Sequence, residues 1–226
     1  MMLRVCLSII CISLLAIDVF VWLWERKIFI NGNPKERDIS KEEKKYNMGR
    51  LWGIMTKLEA FSFLKDNQPM PSDDELTKQD IEKYEEVRKF LLYNADVQFV
   101  PLLLNSFGGK DGYGVYQMIE DVIMMYSKDE VLPHILNAFN NPSKYVVYWN
   151  VQIASNYPDA DLFEPLTKII GYDDDDIKLV SIIALAQLAL NDIRTNDVIN
   201  VLKNEIEVIS DEEVKEFAEE ILKDIQ

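Results

Sequence analysis

Residues 132–141 read LPHILNAFNN. A matching phrase stands 32 positions earlier, VPLLLNSFGG at 100–109, and another 32 later, EPLTKIIGYD at 164–173. A proline recurring on a fixed grid, here Pro101, Pro133 and Pro165, marks a repeat architecture. Each phrase reads as a short helix with its proline in the first turn, where a missing N–H is harmless. Each is followed by a turn and a longer apolar helix: VYQMIEDVIMMY (115–126), VYWNVQIASNY (147–157) and IKLVSIIALAQLAL (177–190). A fourth unit lacks the proline and pairs NDVINVLKNEIEVI (196–209) with EEVKEFAEEILKDI (212–225). Upstream, Ser72 with Glu75 forms a capping-box pattern ahead of a stripe of Leu76, Tyr84, Val87 and Leu91. Ser40 with Glu43 does the same ahead of Met48, Leu51, Trp52, Met55 and Leu58. These two earlier helices either cap the array or add a fifth pair. The expected fold is therefore all-α, an α-solenoid of about four to five helix pairs.

IKLVSIIALAQL (177–188) and VKEFAEEIL (214–222) resemble the second helix of a HEAT repeat, Val-Arg-x-x-Ala-x-x-Ala-Leu. Ile177 and Val214 stand at its valine, Lys178 and Lys215 at its arginine, and Ser181 and Ala218 at its first small residue. Ala184 fits the second alanine where Ile221 departs from it, and Leu185 and Leu222 match the leucine. Val115 and Val147 extend the pattern less well, because Tyr116 and Tyr148 replace the arginine. The resemblance covers residues 95–226 and implies a HEAT-like fold far more than a function.

Composition agrees. Of 226 residues only eight are Gly and eight Pro, too few for an all-β fold built on turns. Charge is uneven. Residues 1–72 hold 11 Lys/Arg and 8 Asp/Glu, net +3, whereas residues 73–226 hold 13 and 31, net −18. A body this acidic repels nucleic-acid backbones, so no nucleic acid is expected. It attracts a basic protein partner and speeds encounter with it, or it serves solubility alone.

Val5–Trp24 carries one charge, Asp18, and is long enough to span a bilayer as a helix, with Trp22 and Trp24 near its end. Three readings compete for residues 1–24: an uncleaved membrane anchor, a cleaved signal peptide leaving a secreted or periplasmic body, and a buried first helix. The anchor is favoured, because no small-x-small cleavage pattern follows the apolar run. Arg26, Lys27, Lys35, Arg37, Lys41, Lys44 and Lys45 follow the segment, against Arg4 before it. That asymmetry places the body in the cytoplasm. Residues 25–71 then read as a basic juxtamembrane linker and helix, and residues 72–226 as the acidic repeat domain.

Chemistry is scarce. Both cysteines, Cys6 and Cys11, lie in the apolar segment, and His134 is the only histidine. Neither a nucleophilic triad nor a zinc site can be assembled from these, so no enzyme activity, metal or cofactor is expected. His134 reads as a partly exposed structural residue. The run Asp173–Asp176 lacks EF-hand spacing and precedes a helix, where acids favour the positive end. FGGKDGYGVYQ (107–117) also fails as a phosphate loop. Leu104 stands where the first P-loop glycine belongs, and Gln117 where the third dinucleotide-loop glycine belongs. It aligns with FNNPSKYVVYW (139–149), a turn between helices.

What remains is surface. If Val115, Ile119, Val122 and Tyr126, and likewise Val147, Val151 and Ala154, face inward, the opposite face carries Tyr116, Gln117, Glu120, Tyr148, Trp149 and Gln152. Tyr and Trp among amides and acids suit recognition; packing against neighbouring helices is the competing reading. With Asp173, Asp174 and Asp175 these are the candidate partner-binding residues. Small acidic HEAT-like chains resemble the immunity proteins made beside bacterial polymorphic toxins. That resemblance implies direct binding and occlusion of a basic toxin domain; a membrane-anchored adaptor or assembly factor is the alternative.

Overall fold

The computed structural model describes residues 55–226. The apolar segment 1–24, both cysteines and the Ser40 helix start lie outside them. Ten α-helices and two 3₁₀ turns make up the described residues, with no strand among them. The helices pair in chain order: α1 (Lys57–Asp66) with α2 (Lys78–Tyr93), α3 (Val100–Leu104) with α4 (Val115–Ile123), and α5 (Lys128–Ala138) with α6 (Lys144–Ala154). The last two pairs are α7 (Phe163–Ile169) with α8 (Asp175–Leu190), and α9 (Thr195–Val208) with α10 (Glu212–Asp224). Consecutive pairs meet through like helices: α1 touches α3 and α3 touches α5, while α2 touches α4, α6 touches α8 and α8 touches α10. The helices α1 and α2 thus stand as a pair ahead of the repeats, while most of the helix expected from Ser40 lies outside the described residues. No described helix is long and apolar enough to cross a membrane.

Three local expectations are corrected. The helix read through Met55 and Leu58 cannot be continuous, because Thr56 is extended (φ −91°, ψ 157°) and caps a new helix with Glu59. Leu58 is consequently exposed. The α2 start is not at Ser72, whose carbonyl instead closes a turn onto the N–H groups of Glu75 and Leu76. Thr77 and Asp80 form the capping box that opens it, and the expected stripe of Leu76, Tyr84, Val87 and Leu91 is buried.

Proline placement differs as well. Pro101 lies in the first turn of α3 and Pro165 in that of α7, but Pro133 is inside α5. The Ser127–Glu130 capping box starts α5 earlier, at Lys128. In the flanking pairs the same length of chain is a 3₁₀ turn, Val97–Phe99 or Ala160–Leu162, capped by Asp96 or Asp159. The caps Ser127 and Asp159 therefore lie on the proline grid, six residues before Pro133 and Pro165, and Asp96 lies one position off it, a second near-periodic signal beside the prolines.

The centre of the core is α8. Nine of its sixteen residues are buried, among them Ile177, Val180, Ile182, Leu185 and Leu188. It is apolar nearly all round because α6, α7, α9 and α10 all pack on it. By contrast α10 buries only Val214 and Ala218 within its span and turns its acids outward, as suits a terminal pair with one polar outer face.

Candidate functional site

Three of the nine candidate residues are core, not surface. Tyr116 is 0% exposed and meets Tyr84, Phe107 and Trp149 edge-on, with ring centroids 5.9, 5.6 and 5.8 Å away. Burial pushes its phenol up to about 12, partly offset by the Gly108 backbone. Trp149 is 4% exposed, stacks on Phe107 at 5.5 Å and 20°, and donates its indole N–H to the Lys110 carbonyl at 3.2 Å. Glu120 is buried and accepts a hydrogen bond from the Asn156 amide. The α6 helix packs on α3, α5 and α8, so little of it faces solvent, whereas α4 packs on α2 and α3 and is two-faced, with Gln117, Met118 and Asp121 exposed and Tyr116 and Glu120 on the buried side.

The other six divide. Gln117 is exposed; Gln152 and Tyr148 are half-buried, the latter edge-on to Trp149. Burial and then the nearby Asp176 raise the Tyr148 phenol. Asp174 caps α8, accepting from the Ile177 N–H at 3.1 Å, and meets Lys144 at 2.8 Å. Its burial raises the carboxyl, but Lys144 and the Ile177 N–H outweigh that and hold it below the usual range. Asp173 and Asp175 are exposed. The first-to-second-helix turns bring the aspartate run beside Lys144, not beside Gln117.

The glycine-rich turn at 105–114 does more than end a helix. It is fastened to the α1–α2 connection by Met70 N–H to Ser106 O at 3.0 Å, Gly112 N–H to Asp73 Oδ1 at 3.0 Å, Tyr113 Oη to Asp73 O at 2.9 Å and Lys110 Nζ to Asp74 at 2.8 Å. A Cβ at Gly108 would lie 2.4 Å from the carbonyl oxygens of Met70 and Pro71, so only glycine permits this approach. Lys110 and Tyr113 both adopt positive φ, 63° and 53°, a conformation that bulky residues hold only where their surroundings fix it.

Along the same edge stand three exposed tyrosines that sequence reasoning passed over: Tyr113 (65%), Tyr145 (40%) and Tyr172 (43%). Their contacts run in series. Tyr113 holds the Asp73 backbone, the Tyr145 ring lies 3.2 Å from the Cβ position of Gly109, and Lys144 reaches Asp174, two residues past Tyr172. Tyr113 and Tyr145 are 32 residues apart, on the proline grid; that spacing was the signal available. Asp111, Asp173 and Asp176 flank the tyrosines and form no ion pair with a described residue. His134 is half-buried on α5, and no group of three or more His, Cys, Asp or Glu among the described residues is arranged to hold a metal ion.

The described residues thus form an all-helical array of consecutive helix pairs with an acidic, tyrosine-bearing loop edge. Comparison with protein-family models, curated proteins and solved structures finds no match to the chain.

Proposed function

We propose that the chain is a HEAT-like α-solenoid that binds a basic protein, and that it acts as an immunity-type protein, neutralising a toxin domain by occlusion. The contact of like helices between consecutive pairs supports the solenoid. One observation carries the functional reading: the acids of the body far outnumber its cations. Lys110, Lys128, Lys144 and Arg194 each pair with an acid of a neighbouring helix pair, and residues 73–226 hold 31 Asp/Glu against 13 Lys/Arg in all. Such a surplus opposes folding by self-repulsion and favours a cationic partner.

The test is capture of the native partner with tagged full-length chain, then expression of that partner with and without it. Toxicity that disappears on co-expression supports the reading; an acidic partner, or toxicity left unchanged, overturns it. Association rates that do not fall with added salt would remove the electrostatic component. Residues 5–24 are proposed to tether the body at the cytoplasmic side of a membrane. A full-length chain that fractionates as soluble and uncleaved would contradict that.

A further inference from the structure

We propose that the loop edge bearing Tyr113, Tyr145 and Tyr172 is the docking surface, and that it receives arginine and lysine side chains of a basic protein segment over its phenol rings and beside its carboxylates. This rests on the basic-partner reading and names the surface responsible. The three rings are the large aromatic groups exposed at the first-to-second-helix turns, and the turns that bear them are joined in series by hydrogen bonds, ion pairs and close packing. Tyr113 is held at positive φ with its hydroxyl fixed on Asp73, so its ring is presented without further ordering.

The edge already holds one contact of the proposed kind. The Lys144 ammonium lies 5.4 Å from the Tyr145 ring centroid while pairing with Asp174, a cation placed on a phenol face and against a carboxylate. Lys110 and Lys144 are both engaged, with Asp74 and Asp174, whereas Asp111 and Asp173 form no ion pair with a described residue and Asp176 acts on Lys144 only at longer range. An incoming cation therefore meets excess acid beside exposed rings, with the Tyr145 face that Lys144 covers the one already engaged. The rival face on the second helices lacks this, because Tyr116 and Trp149 are buried there. The opposite loop edge exposes Tyr93, Val97, Met124, Met125 and Leu190, which suits an apolar occupant rather than a cationic one.

The probe is fluorescein-labelled octa-arginine, with octalysine and octaglutamate alongside, titrated by anisotropy into full-length protein in detergent micelles. Tyr→Ala substitutions leave net charge unchanged, so they isolate the rings from bulk attraction. Tyr113→Ala, Tyr145→Ala and Tyr172→Ala should each weaken octa-arginine binding about two- to fivefold, the range for an exposed cation–ring contact. Arginine should bind more tightly than lysine, Tyr113→Phe, which keeps the ring but frees it from Asp73, should bind between wild type and Tyr113→Ala, and Gln117→Ala and Gln152→Ala should change nothing. Wild-type affinity in the triple Tyr→Ala variant, with its melting temperature preserved, overturns the edge and leaves the basic-partner reading standing. No preference of the wild type for octa-arginine over octaglutamate overturns both. Loss of self-association rather than of peptide binding in the triple variant would assign the edge to a second copy and likewise overturn the proposal.

Discussion

At the scale of single residues, Trp149 and Gln117 separate core from surface. Trp149 stacks on Phe107, meets Tyr116 and Tyr148, and donates to Lys110 O. Trp149→Ala should cost about 3–5 kcal/mol, read as a lower urea midpoint at unchanged slope. Gln117→Ala should stay within about 0.5 kcal/mol. Equal effects would contradict the burial. The glycines give a second contrast. Gly108→Ala drives a methyl into two backbone carbonyls and should cost more than the ~1–3 kcal/mol of ordinary overpacking. Gly114→Ala meets open space but keeps φ 83°, so about 1–2 kcal/mol of backbone strain is expected from thermal melts. The sequence reading failed at these residues for a reason of geometry. Helical period assigns two faces, yet α6 buries Val146, Val147, Trp149, Asn150, Val151, Ile153 and Ala154, which together surround it. Nor can any local pattern reveal that residues 70–74 lie against Gly108 and Gly112, nearly forty positions away.

At the scale of elements, helix starts were legible in kind and misplaced in position. The aspartate run marks the start of α8, and Asp174 is its cap, with Asp173 before it and Asp175 and Asp176 in the first turn. Asp174→Ala should therefore lower stability by about 1 kcal/mol. Asp173→Ala and Asp175→Ala should leave it within about 0.5 kcal/mol, since the Asp175 contact to Lys178 is a 3.8 Å surface pair. Chemical denaturation of the three variants decides this; a uniform loss would mean that the run acts as a block. The second helices at 177–190 and 212–225 were legible almost to the residue, because apolar runs and flanking acids agree there. The start of α5 was not, since the proline grid puts Pro133 in the first turn, whereas the Ser127–Glu130 box opens the helix a turn and a half earlier at Lys128.

Across the whole molecule, ion pairs join most adjacent helix pairs. Lys57–Asp96 and Lys110–Asp74 link the first to the second, Lys128–Asp159 and Lys144–Asp174 the third to the fourth, and Arg194–Glu164 the fourth to the fifth. The Lys57 ammonium and the Gln98 N–H hold the Asp96 carboxyl down; Lys128 and the Asp161 N–H do so for Asp159. Their acids lift Lys110, Lys128 and Lys144. For the depressed carboxyls the stabilisation is present above the unfolded value, about 3.9, and disappears as pH falls through the lower folded values. For the raised lysines it is present below about 10.4 and disappears as pH rises through the higher folded values. Melting temperature should thus form a plateau across neutral pH with losses at both ends. A fall already complete by about pH 5 would require another cause.

The seam between the second and third pairs is different, because neutral hydrogen-bond donors serve it. Trp149 to Lys110 O, Asn150 to Leu104 O at 2.6 Å, Asn141 to Asn105 at 3.0 Å and Tyr157 to Ile123 O at 2.7 Å close it. Trp149 is also the only tryptophan among the described residues, so the molecule carries a light-emitting gauge at this hydrogen-bonded joint. With Trp22, Trp24 and Trp52 changed to phenylalanine, emission from that single indole would start blue and move to the red when this joint opens. Added salt would alter the other seams while leaving its colour unchanged.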